Sequence, residues 1–130
     1  MKVIKIIIEK DQNGSFWATA ENIDGIYAVG DTVEEVKESV LDALETLKMT
    51  SNPPKELNSK YKIAYKFDTE SLLQYYKKIL SAPAFEKITG INQKQIHHYA
   101  SGLKKPRETQ KKKIENALHE FGKELLSVEL

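Results

Sequence analysis

Apolar and polar side chains alternate at the start of the chain. In VIKIIIEK, 3–10, Ile4, Ile6 and Ile8 share one face and β-branched residues dominate, which predicts a strand. DQNGS, 11–15, carries Asn13-Gly14, a strong hairpin signal. FWATAEN, 16–22, predicts the return strand, with Phe16, Ala18 and Ala20 on one face and Trp17, Thr19 and Glu21 on the other. A turn at 23–25 leads to a third strand, IYAVG, at 26–30.

The period then lengthens. Val33, Val36, Val40, Leu44 and Leu47 recur at three- and four-residue spacing, the stripe of an amphipathic helix. Thr32 and Glu35 form a T-x-x-E capping box at its start. Pro53-Pro54 stops the helix. YKIAYKF, 61–67, returns to strict alternation, and its lysines predict an edge strand.

Only helix signals follow. Asp68 or Thr69 caps a helix over 70–80, with Leu72, Leu73, Tyr76, Ile79 and Leu80 as its apolar side. Ser81 caps a second helix, with Pro83 in its first turn and Gly90 as its left-handed stop. Asn92 caps a third, ended by Gly102. Pro106 and Arg107 precede a fourth, striped by Ile114, Leu118, Phe121 and Leu125. The fold class is therefore α+β: β-β-β-α-β over 1–67, then an all-α domain over 68–130.

Composition adds a polarity to this division. The net charge of +1 conceals a net −5 over 1–58, with six Lys/Arg against eleven Asp/Glu, and a net +6 over 59–130, with fourteen against eight. Opposite signs predict different partners for the two halves. No apolar run is long enough to span a bilayer, no signal-peptide layout opens the chain, and cysteine is absent, so a cytoplasmic address is expected.

The stretch INQKQIHHYASGLKKP, 91–106, holds the candidate chemistry. His97 and His98 are adjacent on a predicted helix, so they project roughly 100° apart and cannot share one ion. No metal-ligand spacing, phosphate loop or nucleophile motif occurs, and no metal, cofactor or enzymatic activity is expected. A metal-dependent nuclease would need a converging carboxylate set, and only Glu9 and Asp11 stand close together near the first strand's end. Two short helices joined by a glycine turn, the second basic, instead predict a helix-turn-helix. Phe85, Ile88, Ile91, Ile96 and Tyr99 would form its interior. Gln93, Lys94, His97 and His98 would face DNA, with Lys104, Lys105 and Arg107 on backbone phosphates. One recognition helix reads few bases, so a homodimer or higher even oligomer is expected.

Residues 83–122 resemble the helix-turn-helix of the Xre/Cro-like repressors. Four residues before the turn glycine, where that family usually has alanine, this chain has Glu86. Residues 11–44, DQNGSFWATAENIDGIYAVGDTVEEVKESVLDAL, resemble the HicB-type antitoxin domain. The two resemblances together imply a partial ribonuclease-H-like sheet without its nuclease set, followed by a DNA-binding domain. They imply two partners: a small basic ribonuclease toxin of HicA type, and operator DNA through which the chain represses its own operon. An acidic domain suits a basic toxin. Trp17 and Tyr27 are its candidate aromatic anchors, with Glu21 and Asp24 as nearby carboxylates. The alternative is a stand-alone helix-turn-helix regulator whose first domain binds a small molecule or another protein.

Overall fold

Ile4, Ile6 and Ile8 are fully buried, and the alternation that placed them on one face organises the first half of the molecule. The structure, a computed structural model, describes residues 1–130. Strands β1 (Lys2–Lys10), β2 (Phe16–Ala20) and β3 (Tyr27–Gly30) precede helix α1 (Val33–Lys48), a 3-10 turn at Lys55–Leu57 and strand β4 (Tyr61–Phe67). Four helices follow: α2 (Thr69–Tyr76), α3 (Ala82–Thr89), α4 (Gln93–Ser101) and α5 (Glu108–Leu126). The chain divides into two compact units, Met1–Asp68 and Thr69–Leu130.

The four strands form one mixed sheet in the order β3-β2-β1-β4. β1 pairs antiparallel with β2, placing Ile8 opposite Ala18, and parallel with β4, placing Ile6 opposite Tyr65. β4 is an edge strand with Lys62, Ala64 and Lys66 exposed, as its lysines lead one to expect. β2 stops at Ala20, two residues short of the expected end. The Asn22 side chain takes over the ladder there, accepting from the Lys5 N–H at 3.1 Å and donating to the Val3 carbonyl at 2.7 Å.

α1 covers one face of this sheet. Val36, Val40 and Leu44 are buried together with Ile4, Ile6, Ile8, Ala18 and Ala28. Gly30 admits the helix closely, since a Cβ there would stand 2.9 Å from Cβ of Glu35. Across β4, the Lys37 ammonium lies 4.6 Å from the Tyr65 ring centroid, and burial holds its pKa below the usual lysine value. The capping box forms with a shift. Thr32 Oγ1 accepts from the Glu35 N–H at 3.1 Å, but the Glu35 carboxylate reaches back to the N–H of Asp31, not Thr32.

In the second unit Leu73, Phe85, Ile91, Ile96, Tyr99 and Ile114 form the core, with Leu72, Tyr76, Leu80 and Leu118 packed against it. Three expectations need correction. α2 ends at Tyr76, where the N–H groups of Ile79 and Leu80 both donate to the Tyr76 carbonyl, at 2.9 and 2.7 Å. That turn sends Leu80 to the core and leaves Ile79 71% exposed. Leu125 is 55% exposed because α5 outruns the helices it packs on. Ile88 is only half-buried, facing a groove beside α5 instead of the interior between α3 and α4.

The charge partition is also milder than the sequence division implied. Lys60, Lys62 and Lys66 belong to β4 or its approach, hence to the first unit. With the boundary at Asp68 the units carry net −3 and +4.

Candidate nucleic-acid interface and the open sheet face

α3 and α4 are joined by a turn at Gly90, whose φ of 75° is left-handed and favours glycine. Thr89 fixes the turn. Its hydroxyl donates to the Phe85 carbonyl at 2.6 Å and accepts from the Ile91 N–H at 3.1 Å, both bonds buried. Asn92 caps α4, its side chain accepting from the Lys94 N–H at 2.7 Å. Glu86 adds a cap from the preceding helix: Oε1 accepts from the Gln93 N–H at 3.3 Å. Glu86 thus has a local structural use.

Along α4, Ile96 and Tyr99 point into the core, while Gln93, Lys94 and His97 lie exposed on the other side at helical spacing. His98 stands between these faces, half-buried. Its Nδ1 is shut off from solvent without a hydrogen-bond partner. Sequence reasoning placed His98 with the outward group. Its position two residues after Ile96 and one before Tyr99 rotates it toward the packed side.

Gly102 ends α4 with φ 81°, and the Glu70 side chain lies against it so closely that a Cβ would clash. The loop that follows is tied back to α4. The Lys104 N–H donates to the His98 carbonyl at 3.2 Å, and Ser101 Oγ accepts from the Leu103 N–H at 3.4 Å. Lys104, Lys105 and Arg107 are exposed. Arg107 is the N-cap residue of α5, but a guanidinium has no acceptor with which to cap the helix.

The ion pairs sort these cations. Lys111 and Lys112 pair with Glu108 and Glu115 at 3.2 and 3.5 Å, whereas Lys94, Lys104, Lys105 and Arg107 form no ion pair. Unneutralised cations on and beside one helix suit a polyanion, because each releases counterions on meeting a phosphate. Sequence reasoning missed Lys113. Its Nζ lies 3.9 Å from where a side chain on Gly90 would begin, so α5 brings it over the α3–α4 turn. The run Lys111-Lys112-Lys113 was the available signal, but only the fold distinguishes the third lysine from its paired neighbours.

In the first unit, α1 leaves one sheet face uncovered, and Trp17, Tyr27 and Val29 lie on it. Trp17 and Tyr27 meet edge to face, 5.3 Å between centroids at 62°. Tyr27 is 68% exposed. Trp17 is half-buried and anchored, its Nε1–H donating to Asp11 Oδ2 at 2.6 Å. The other oxygen of Asp11 accepts from the Asn13 and Ser15 N–H groups at 2.8 and 3.0 Å. The Trp17 bond is the largest influence holding the Asp11 carboxyl below the usual aspartate range. Both oxygens of Asp11 therefore serve the hairpin. Glu21 and Asp24 are exposed beyond the end of β2 and are not drawn into the aromatic pair. No group of three or more His, Asp or Glu is placed to hold a metal ion, and no helix is long and apolar enough to cross a membrane.

Comparison with protein-family models, curated proteins and solved structures gave no match.

Proposed function

We propose that the chain is a cytoplasmic, non-enzymatic antitoxin of the HicA/HicB type. Its first unit, a partial ribonuclease-H-like sheet, binds and occludes a small basic ribonuclease. Its second unit is a helix-turn-helix that represses the chain's own operon as a dimer. The observation that carries the reading is a set of exposed cations outside any ion pair, Lys94 in the first turn of α4 and Lys104, Lys105 and Arg107 in the segment that follows it, in a unit of net +4. Gln93 and His97 on the same exposed side supply groups able to reach base edges. The first unit has the opposite sign, net −3, and an uncovered aromatic pair. That combination suits a basic protein, steered by charge and held by aromatic burial.

Co-expression with the small reading frame beside this gene tests it. The reading expects the neighbour to arrest growth alone, to be neutralised by this chain and to co-purify with it. A neighbour that is harmless or does not bind removes the antitoxin. The stand-alone regulator would then remain, since it shares the DNA-binding unit.

A further inference from the structure

Strand β4 ends the sheet, so the backbone N–H and C=O of every second residue along its outer side have no strand to pair with. Its two faces differ. On the open face Lys62 and Lys66 flank Ala64 along the strand, and Lys5 of β1 stands beside Ala64 in register. All four are exposed, and none of the three lysines takes part in an ion pair. On the other face Tyr61, Ile63, Tyr65 and Phe67 are only half-buried, because α1 packs on β3 and β2. Two lysines of α1 reach toward these rings. The Lys37 ammonium lies 4.6 Å from the Tyr65 centroid and 5.9 Å from that of Phe67. The Lys48 ammonium lies 4.9 Å from the Tyr61 centroid and also pairs with Glu45 at 3.1 Å. The acidic unit therefore has a basic edge.

Lysine on an edge strand deters pairing between like copies, and a second β4 brought alongside would set lysine against lysine. That role accounts for Lys62 and Lys66. It does not account for the half-open aromatic row on the opposite face, or for the cations held over it. Both features fit one incoming strand. A segment laid along β4 would send its side chains alternately to the two faces, one set beside the lysine row and the other beside Tyr61, Tyr65 and Phe67. Acidic residues suit the first row and apolar residues the second, as cross-strand neighbours. A nucleic acid would meet the lysines but has no amide ladder, and would leave the edge of β4 unpaired.

We infer that β4 is a docking edge for an extended segment of another protein in which acidic and apolar residues alternate, added to the sheet as a further strand. Lys5, Lys62 and Lys66 select its charge, and the Tyr61, Tyr65 and Phe67 rings receive its apolar side chains. This goes beyond the antitoxin reading and does not rest on it, because the ribonuclease proposed there is basic and would be repelled by these lysines.

The test is fluorescence anisotropy with the full chain and a labelled peptide of alternating valine and glutamate, long enough to span the seven residues of β4. The wild type is expected to bind this peptide and to reject one of alternating valine and lysine. Lys62→Glu with Lys66→Glu should weaken the first peptide roughly tenfold or more and create binding of the second. Both positions are exposed, so circular dichroism should not change. N-methylation of the peptide's backbone amides should abolish binding, since those amides can no longer donate to the edge. Lys94→Ala with Lys104→Ala should leave the affinity unchanged, which separates this edge from the second unit. The inference is overturned if the valine–glutamate peptide does not bind, or if N-methylation or the paired glutamate substitution leaves its affinity unchanged. It is also overturned if a single-stranded uridine oligonucleotide binds more tightly than the peptide and loses that affinity in the Lys62→Glu, Lys66→Glu variant.

Discussion

The indole N–H of Trp17 donates to the carboxylate of Asp11 across the first hairpin at 2.6 Å. Trp17 is the sole tryptophan, so its fluorescence reports this bond. The bond holds the Asp11 pKa below its unfolded value. Its stabilisation is complete above the ordinary aspartate pKa and is lost as pH falls through the lower folded value. An acid titration should therefore show a Trp17 emission change with a midpoint below the ordinary aspartate range. Asp11→Asn should abolish that transition. A midpoint at or above the ordinary value would contradict the assignment.

Gly102 combines two constraints, a φ of 81° and close contact with Glu70. Gly102→Ala should lose about 1–2 kcal/mol to the left-handed backbone. The Glu70 carboxylate is the far end of a flexible side chain and can swing aside, so Glu70→Ala should recover little of that loss. Urea denaturation of the two single variants and the double variant checks this. Recovery of most of the loss by Glu70→Ala would show that the contact, not the backbone, sets the cost.

Glu86→Ala leaves the Gln93 N–H without its side-chain acceptor. By analogy with lost helix caps, stability should fall by about 1 kcal/mol. The same change removes a negative charge from the start of α4, so affinity for duplex DNA at low salt should rise. Thermal melts and fluorescence anisotropy check the two directions. Weaker DNA binding by a folded variant would place Glu86 in a positive role at the interface.

Lys94→Ala with Lys104→Ala should lower the slope of log affinity against log salt by about two, near 0.9 for each lost phosphate contact. Lys112→Ala, whose side chain already pairs with Glu115, serves as the control and should change the slope by less. Equal slopes for the double variant and the wild type would remove these lysines from the interface.

Periodicity and turn chemistry made much of this architecture legible. The alternation Ile4, Ile6, Ile8 and the run 61–67 gave strands because side-chain direction has a period of two. Gly90 and Gly102 marked helix ends because both needed a left-handed backbone. Period does not state how far a packing partner extends, so Ile79 and Leu125 looked like core residues and are exposed. It also does not say which face of a sheet a helix covers. The placement of Trp17 and Tyr27 on the open face therefore needed coordinates, as did the inward rotation of His98. The charge count cut at residue 58 put Lys60, Lys62 and Lys66 in the basic half, although the strand that carries two of them belongs to the first unit.

The central claim is that each unit holds a different macromolecule. A gel-shift titration using DNA from upstream of the gene, with and without the neighbouring small basic protein, tests it most directly. Wild-type chain should retard the DNA, and the small protein should retard the complex further. Trp17→Ala should keep the first shift and lose the second, whereas Lys94→Ala with Lys104→Ala should weaken the first. Both variants losing the same band, or neither changing any band, would contradict the division of labour between the sheet face and α4.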